Sequence, residues 1–329
     1  MRQIDKSLFA SFSSEKEDSS FFPKPGYAHP MAGSQDYIED PRNNDALVYL
    51  NGALVQRAEA RVSVFDAGFA LGDGVWEGLR LHRGRLLFLE AHLERLFAGA
   101  AAIKLDIGMD RAGVAAALQA TVAANGMHDG VHLRLMVTRG VKRTVNQDPR
   151  FALGRPTMVI TAEYKAPPAG AGLALFTSDI RCSPAAMFDM RLNSHSRLNL
   201  IRALLQAIEA GADEALMLDP GGYVSSCNAT NFFCVRDGTV LTSGGDFCFN
   251  GITRGNVMDL CGMHGVPISV GPFALEVARH ADEAFVTGTM GGITPVRSID
   301  GHAMRAAPGP VTQRLRDLYA ALIEKDAAR

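Results

Sequence analysis

A chain of 329 residues can bury a large core, and at roughly 150 residues per domain its length suits two domains. With 47% hydrophobic residues, 21% charged residues and a net charge of -2, it lacks the basic stripe of a nucleic-acid binder. No apolar run reaches the length of about 18 residues that a membrane span needs, and Met1 to Ser20 is polar and mixed in charge; neither a span nor a secretory leader is expected, and the expected location is cytoplasmic.

Residues 1–45 are rich in Ser, Pro, Asp and Glu, carry no sustained apolar period, and read as an N-terminal extension. At Leu47 the pattern changes: ALVYLNGALV alternates about Asn51-Gly52, which predicts a hairpin. Leu89, His92, Leu93, Leu96 and Phe97 recur at three- and four-residue spacing and predict a helix, and a second helix is predicted from about Asp110 to Asn125, ending at Gly126. VHLRLMVTRG and PTMVITAEY then read as strands, completing a small α+β domain over 46–165.

The next segment, 166–171, has the composition of a linker. Beyond it, in a larger domain over 172–329, LALFTSDI reads as a strand and LNLIRALLQAIEAG as a helix closed by Gly211. GGYVSS and NFFCVRDGTVLTS form a meander turning at Asp237-Gly238. Short strands outnumber helices here, which predicts a β-barrel-like core flanked by helices. The five cysteines are odd in number and lack zinc-site spacing, so they read as packed thiols, and no metal site is expected.

Three glycine-bearing turns stand out: NGITRGN at 250–256, VTGTMGGITPV at 286–296, and APGPVT ending at Thr312. Each places small residues where backbone N–H groups can point outward. The first runs into a predicted helix, where free N–H groups and the helix dipole favour an anion; the plainer alternative is that Thr253 only caps that helix.

Taken in order, VSVFDAGFALGDGVWEGLR, GADEALMLDPGGYVSSCNATNFFCV, NGITRGNV and DEAFVTGTMGGITPVRSIDG resemble the class IV aminotransferases, pyridoxal-phosphate enzymes of fold type IV that include branched-chain and D-amino acid aminotransferases. The resemblance covers about residues 47–320. It implies a two-domain α+β fold, a homodimer, and a transamination or related lyase step on the amino group or α-carbon of a small carboxylated amine. By the same resemblance Arg80 corresponds to the phosphate-binding arginine, and Ile252, Thr253, Thr289 and Met290 to the donors completing a phosphate cup. His132, Arg134 and Arg143 correspond in location to groups that hold substrate.

Two expected residues are replaced. Counting back from Gly211 puts the lysine that bonds the cofactor at Asn193 and a following tyrosine at Arg197, while Ser226 stands where a glutamate keeps the cofactor ring protonated. A serine cannot hold a pyridinium charge as a carboxylate does. Lys142 and Lys165 follow strands and are the lysines considered as substitutes, although strand-end lysines usually face solvent. His195, between Ser194 and Ser196, is a candidate proton carrier. Pyridoxal phosphate is therefore expected bound, noncovalently, or lost altogether. The alternatives are a divergent enzyme doing acid–base or hydrolytic work through His195, and a non-catalytic protein that binds a small anion or cofactor.

Overall fold

Asn51 and Gly52, at φ 50° and 97°, close the expected hairpin between β1 (Leu47–Leu50) and β2 (Ala53–Gln56), because this tight turn needs positive φ at both central residues. The structure, a computed structural model, describes residues 38–165 and 172–329. Most of the expected extension over 1–45, and the whole linker expected over 166–171, lie outside the described residues. Those described form one compact unit containing two sheets.

With the hairpin, β3 (Gly74–His82), β4 (Arg85–Leu86), β5 (Val131–Thr138) and β6 (Thr157–Tyr164) build the first sheet. Its order is β2-β1-β6-β5-β3-β4, antiparallel throughout. Side chains alternate across a strand. Leu79, Leu81, Leu133 and Leu135 therefore enter a core shared with α2 (Leu89–Ala102) and α3 (Arg111–Ala124), through Leu93, Leu96, Val114 and Leu118. The opposite face carries Trp76, Gly78 and Arg80 on β3, with His132 and Arg134 paired across from Arg80 and Gly78 on β5. A short helix, α1 (Ala67–Leu71), precedes β3; its five residues are too few for apolar periodicity to reveal.

The strands of the second sheet are β7 (Leu173–Thr177), β8 (Glu214–Leu218), β9 (Val224–Cys227), β10 (Asn231–Arg236), β11 (Thr239–Thr242), β12 (Ile268–Val270), β13 (Glu283–Gly288), β14 (Gly292–Ile299) and β15 (His302–Ala303). They run β12-β11-β10-β13-β14-β7-β8-β9 with β15 on β14, an open half-barrel. Against β8 packs α4 (Leu198–Glu209), through Ala203 and Ala207 on Ala215 and Met217. Elsewhere α5 (Ile252–Met263) and α7 (Pro310–Ala327) bring Val257 and Leu315 to the stacked rings of Phe233 and Phe285, 4.9 Å apart. The short α6 (Leu275–Arg279) packs beside β14. All five cysteines are buried and unpaired.

One expected anion turn is already satisfied from within. At the start of α7, the N–H groups of Val311 and Thr312 donate to the buried Glu283 carboxylate, at 3.0 and 2.7 Å. Gly309 permits this approach, since a Cβ there would lie 2.2 Å from Glu283 Cδ. The APGPVT turn therefore binds a protein carboxylate rather than an external anion. Glu283→Ala leaves both amides buried without an acceptor and should lower unfolding free energy by about 3 kcal/mol, with Glu283→Gln losing less. The urea midpoint of each variant measures this.

Candidate functional site

The polar face of the first sheet and the inner edge of the second enclose a cavity of about 570 Å³. One end is built by α5, whose N-cap Gly251 has no side-chain cap, so the first amides of the helix have no partner within it. Asn231 fixes that end: its Oδ1 accepts from Gly251 N–H at 3.1 Å, and its Nδ2 donates to Phe249 O at 2.6 Å and to Ser226 Oγ at 3.2 Å. Residue 251 must be glycine here, because a Cβ would sit 2.4 Å from Asn231 Oδ1.

Ile252, Thr253, Thr289 and Met290 all lie on the wall at this end, the last two in the turn between β13 and β14. Arg80 does not itself line the cavity. It lies within electrostatic range of the Tyr319 phenol, whose oxygen is 3.4 Å from Thr253 Oγ1, and its Nε is buried without a partner. Burial pushes the Tyr319 phenol above its ordinary pKa, so at neutral pH it stays an uncharged hydroxyl facing Thr253. Thr287 Oγ1, on the same side, is also buried and unpartnered. Buried donors without acceptors are rare in folded proteins and suit an anion.

The middle of the cavity holds Asn193, Arg197 and Ser226. Asn193 is clipped to β3: its carbonyl accepts from Trp76 N–H at 2.9 Å, and its Nδ2 donates to Trp76 O at 2.6 Å. Arg197 donates to Asn193 Oδ1. Ser226 donates to Thr230 O at 2.8 Å, so its hydroxyl is engaged.

The remaining wall carries Trp76, His132, Arg134 and Lys165. Arg134 lies over the Trp76 ring, its guanidinium carbon 3.6 Å from the centroid, a cation–π contact. Gly78 leaves room for the His132 ring, since a Cβ there would meet His132 Nε2 at 2.9 Å. Burial first, then the charges of Lys165 and Arg134, push His132 down to about 4. It is neutral at physiological pH.

Behind the wall, Glu77 accepts from His92 Nδ1 at 2.7 Å and from Arg95 at 2.8 and 2.7 Å. Burial alone would raise this carboxyl, but the bonds from Arg95 and His92 outweigh it and hold the group below its ordinary value. Arg95 continues to Asn250 O at 3.0 Å and stacks over Phe249, so this one side chain ties α2 both to β3 and to the loop before α5.

Several candidates lie elsewhere. Lys142 is buried, but its amine donates to the carbonyls of Asn146 and Asp148, at 2.5 and 3.0 Å, and it is not on the cavity wall. Arg143 is exposed beside it. The His195 ring faces the Val75 carbonyl at 3.3 Å and does not line the cavity; its pKa is lowered, chiefly by burial. Lys165, for which solvent is the ordinary expectation, does line it. Sequence reasoning also passed over Trp76, Asn231 and the Glu77–Arg95 pair. Alternation along β3 could have singled out Trp76, whereas the other contacts join residues far apart in the chain.

The amino-transferase class IV family model matches residues 74–299. Branched-chain-amino-acid aminotransferase-like protein 1 of Arabidopsis thaliana is 38% identical over 287 residues, covering 86% of this chain but only 52% of that protein; the chain thus spans about half the length of this relative. A putative branched-chain-amino-acid aminotransferase of Methanocaldococcus jannaschii is 34% identical over 83% of this chain and 94% of its own. Among solved structures, the T.th. branched-chain amino acid aminotransferase with pyridoxamine 5'-phosphate superposes with a TM-score of 0.80 at 28% identity, covering 85% of this chain and 94% of that one.

Because His132 binds protons less readily when folded than when unfolded, its contribution to stability is present above the unfolded value near 6.5 and is lost as pH falls toward about 4. With the ring partly open to the cavity, the loss should be ~2 kcal/mol. Unfolding free energies at pH 7 and pH 4 should therefore differ by that much less in His132→Gln than in the parent chain. An equal pH dependence in both would contradict the assignment.

Proposed function

The chain belongs to the class IV aminotransferases, and from that premise we propose that its cavity binds pyridoxal phosphate or pyridoxamine phosphate through charge and hydrogen bonds, without a covalent link. We propose further that it acts on the amino group or α-carbon of a small carboxylated amine, in a homodimer. The cavity lies between two parts of the chain that we propose as domains, 46–165 and 172–329. When bound, pyridoxal phosphate supplies an aldehyde that condenses with amines and a ring that draws charge from the neighbouring carbon.

The residues fit this group at one end only. Arg80, the open amides of Ile252 and Thr253, and the turn at Thr289 and Met290 suit a phosphate dianion. The uncapped start of α5, whose open amides lie on the cavity wall, is the observation that carries the reading. Asn193 offers an amide already spent on Trp76, so it does not fit a covalent anchor, and Ser226 carries no charge with which to hold a protonated ring.

On the opposite wall Arg134 and Lys165 add positive charge that favours a carboxylated ligand. His132 is the uncharged ring that can accept a proton there, and a base with pKa of about 4 works far below its best range at neutral pH, so turnover should be slow. The same replacements support a second reading, a protein that binds this ligand without turning it over. A reading built on His195 is not favoured, since its ring faces Val75 O.

Borohydride reduction after incubation with pyridoxal phosphate tests the proposal. Intact-mass measurement should show no label on the parent chain and one phosphopyridoxyl group on Asn193→Lys. A label on the parent chain, mapped to Lys165, would contradict noncovalent binding. Arg80→Ala should weaken binding of pyridoxamine phosphate on the order of tenfold to a hundredfold, measured by calorimetry. Amino-group transfer by the parent chain, followed as keto acid formed, separates slow turnover from binding alone.

A further inference from the structure

The cavity holds more positive charge than a phosphate cup requires. Arg134 and Arg197 flank the Trp76 ring, their guanidinium carbons 3.6 and 5.2 Å from its centroid, and Lys165 shares the same wall. Among the described residues none of the three has a carboxylate partner. Glu77, which stabilises the charge on Arg197 from a distance, has both oxygens taken by Arg95 and His92. Among the same residues, the one hydrogen bond of the Arg197 side chain goes to Asn193 Oδ1, and its Nε is buried with no acceptor. Burial pushes this guanidinium down to about 10, so it is charged at neutral pH but poorly solvated.

Arg197 is also placed to a purpose. It precedes α4, and its tip reaches Asn193, the position where the family resemblance puts a lysine. The Asn193 clip to Trp76 fixes the residue that orients it. A guanidinium is a poor imine former, yet its planar fork matches a carboxylate with two parallel N–H···O bonds.

We propose that Arg197, oriented by Asn193, seats a carboxylate, and that the preferred ligand is a phosphate monoester bearing a carboxylate at its far end, held noncovalently at both ends. A cofactor already joined to an amino acid has this chemistry, whereas the free cofactor has only the phosphate. The inference rests on the phosphate-cup reading above and goes beyond it by assigning the second anchor.

The chain contains a single tryptophan, Trp76, and it lies on this wall, so its fluorescence reports ligand binding directly. Two probes separate the anchors: pyridoxamine 5'-phosphate, and N-(5'-phosphopyridoxyl)-L-glutamate, which adds carboxylates. The parent chain should bind the second at least about tenfold more tightly. Arg197→Gln should reduce that preference to within about twofold, and Arg197→Lys, which keeps a charge without the fork, should lose at least about half of it. Arg80→Ala should weaken both probes and leave their ratio in place. A preference that survives Arg197→Gln in folded protein, or that disappears only in Arg134→Gln, overturns the assignment of Arg197. If neither probe binds the parent chain, the phosphate-cup reading fails instead.

Discussion

The short segment from Asn193 to His195 runs beside β3 as an added edge, and the arrangement of the cavity follows from that pairing. Trp76 N–H donates to Asn193 O, His195 N–H donates to Gly74 O, and the Trp76 indole donates to Ser194 O, each at about 3 Å, while the Asn193 amide returns a bond to Trp76 O. Each bond is individually modest, but leaving any of these groups unpaired once buried costs more than the bond is worth. The pairing joins the second half of the chain to the first sheet at the centre of the site. It also fixes Asn193, and so fixes Arg197.

Two consequences belong together. Asn193, whose amide completes a hydrogen-bonded edge, serves as a structural clip and offers the cavity no primary amine. Beside it stands positive charge that cannot leave, because Arg197 stays protonated at neutral pH even after burial lowers its affinity for the proton. The opposite end of the cavity is electropositive for a different reason, the open amides of α5. A ligand with negative charge at both ends is complementary to such a site, and buried contacts of this kind are little weakened by salt.

Much of this was legible in the sequence because it is local. Asn51-Gly52 announces its turn, the apolar spacing from Leu89 to Phe97 announces α2, and the glycine-bearing turns at Gly251 and Thr289 both reach the cavity wall. Counting along the chain puts Asn193 and Ser226 where the resemblance expects a lysine and a glutamate. What was hidden depends on contacts between distant segments: the Glu283 carboxylate that satisfies the start of α7, the Arg95 bridge from Glu77 to Asn250, and Asn231 beneath the α5 terminus. Lys165 and His195 show the same limit. Composition could name both residues, but contacts between distant segments decide that the lysine meets the cavity and the histidine meets a carbonyl.

A crystal structure of the chain grown with pyridoxal phosphate tests most directly whether charge has taken over from a covalent anchor. The account requires phosphate oxygens within hydrogen-bonding distance of Arg80, Thr253 and Thr289, and density for the ligand that ends before it reaches any lysine. Continuous density from the ligand to Lys165, or a phosphate bound away from the α5 terminus, would contradict it.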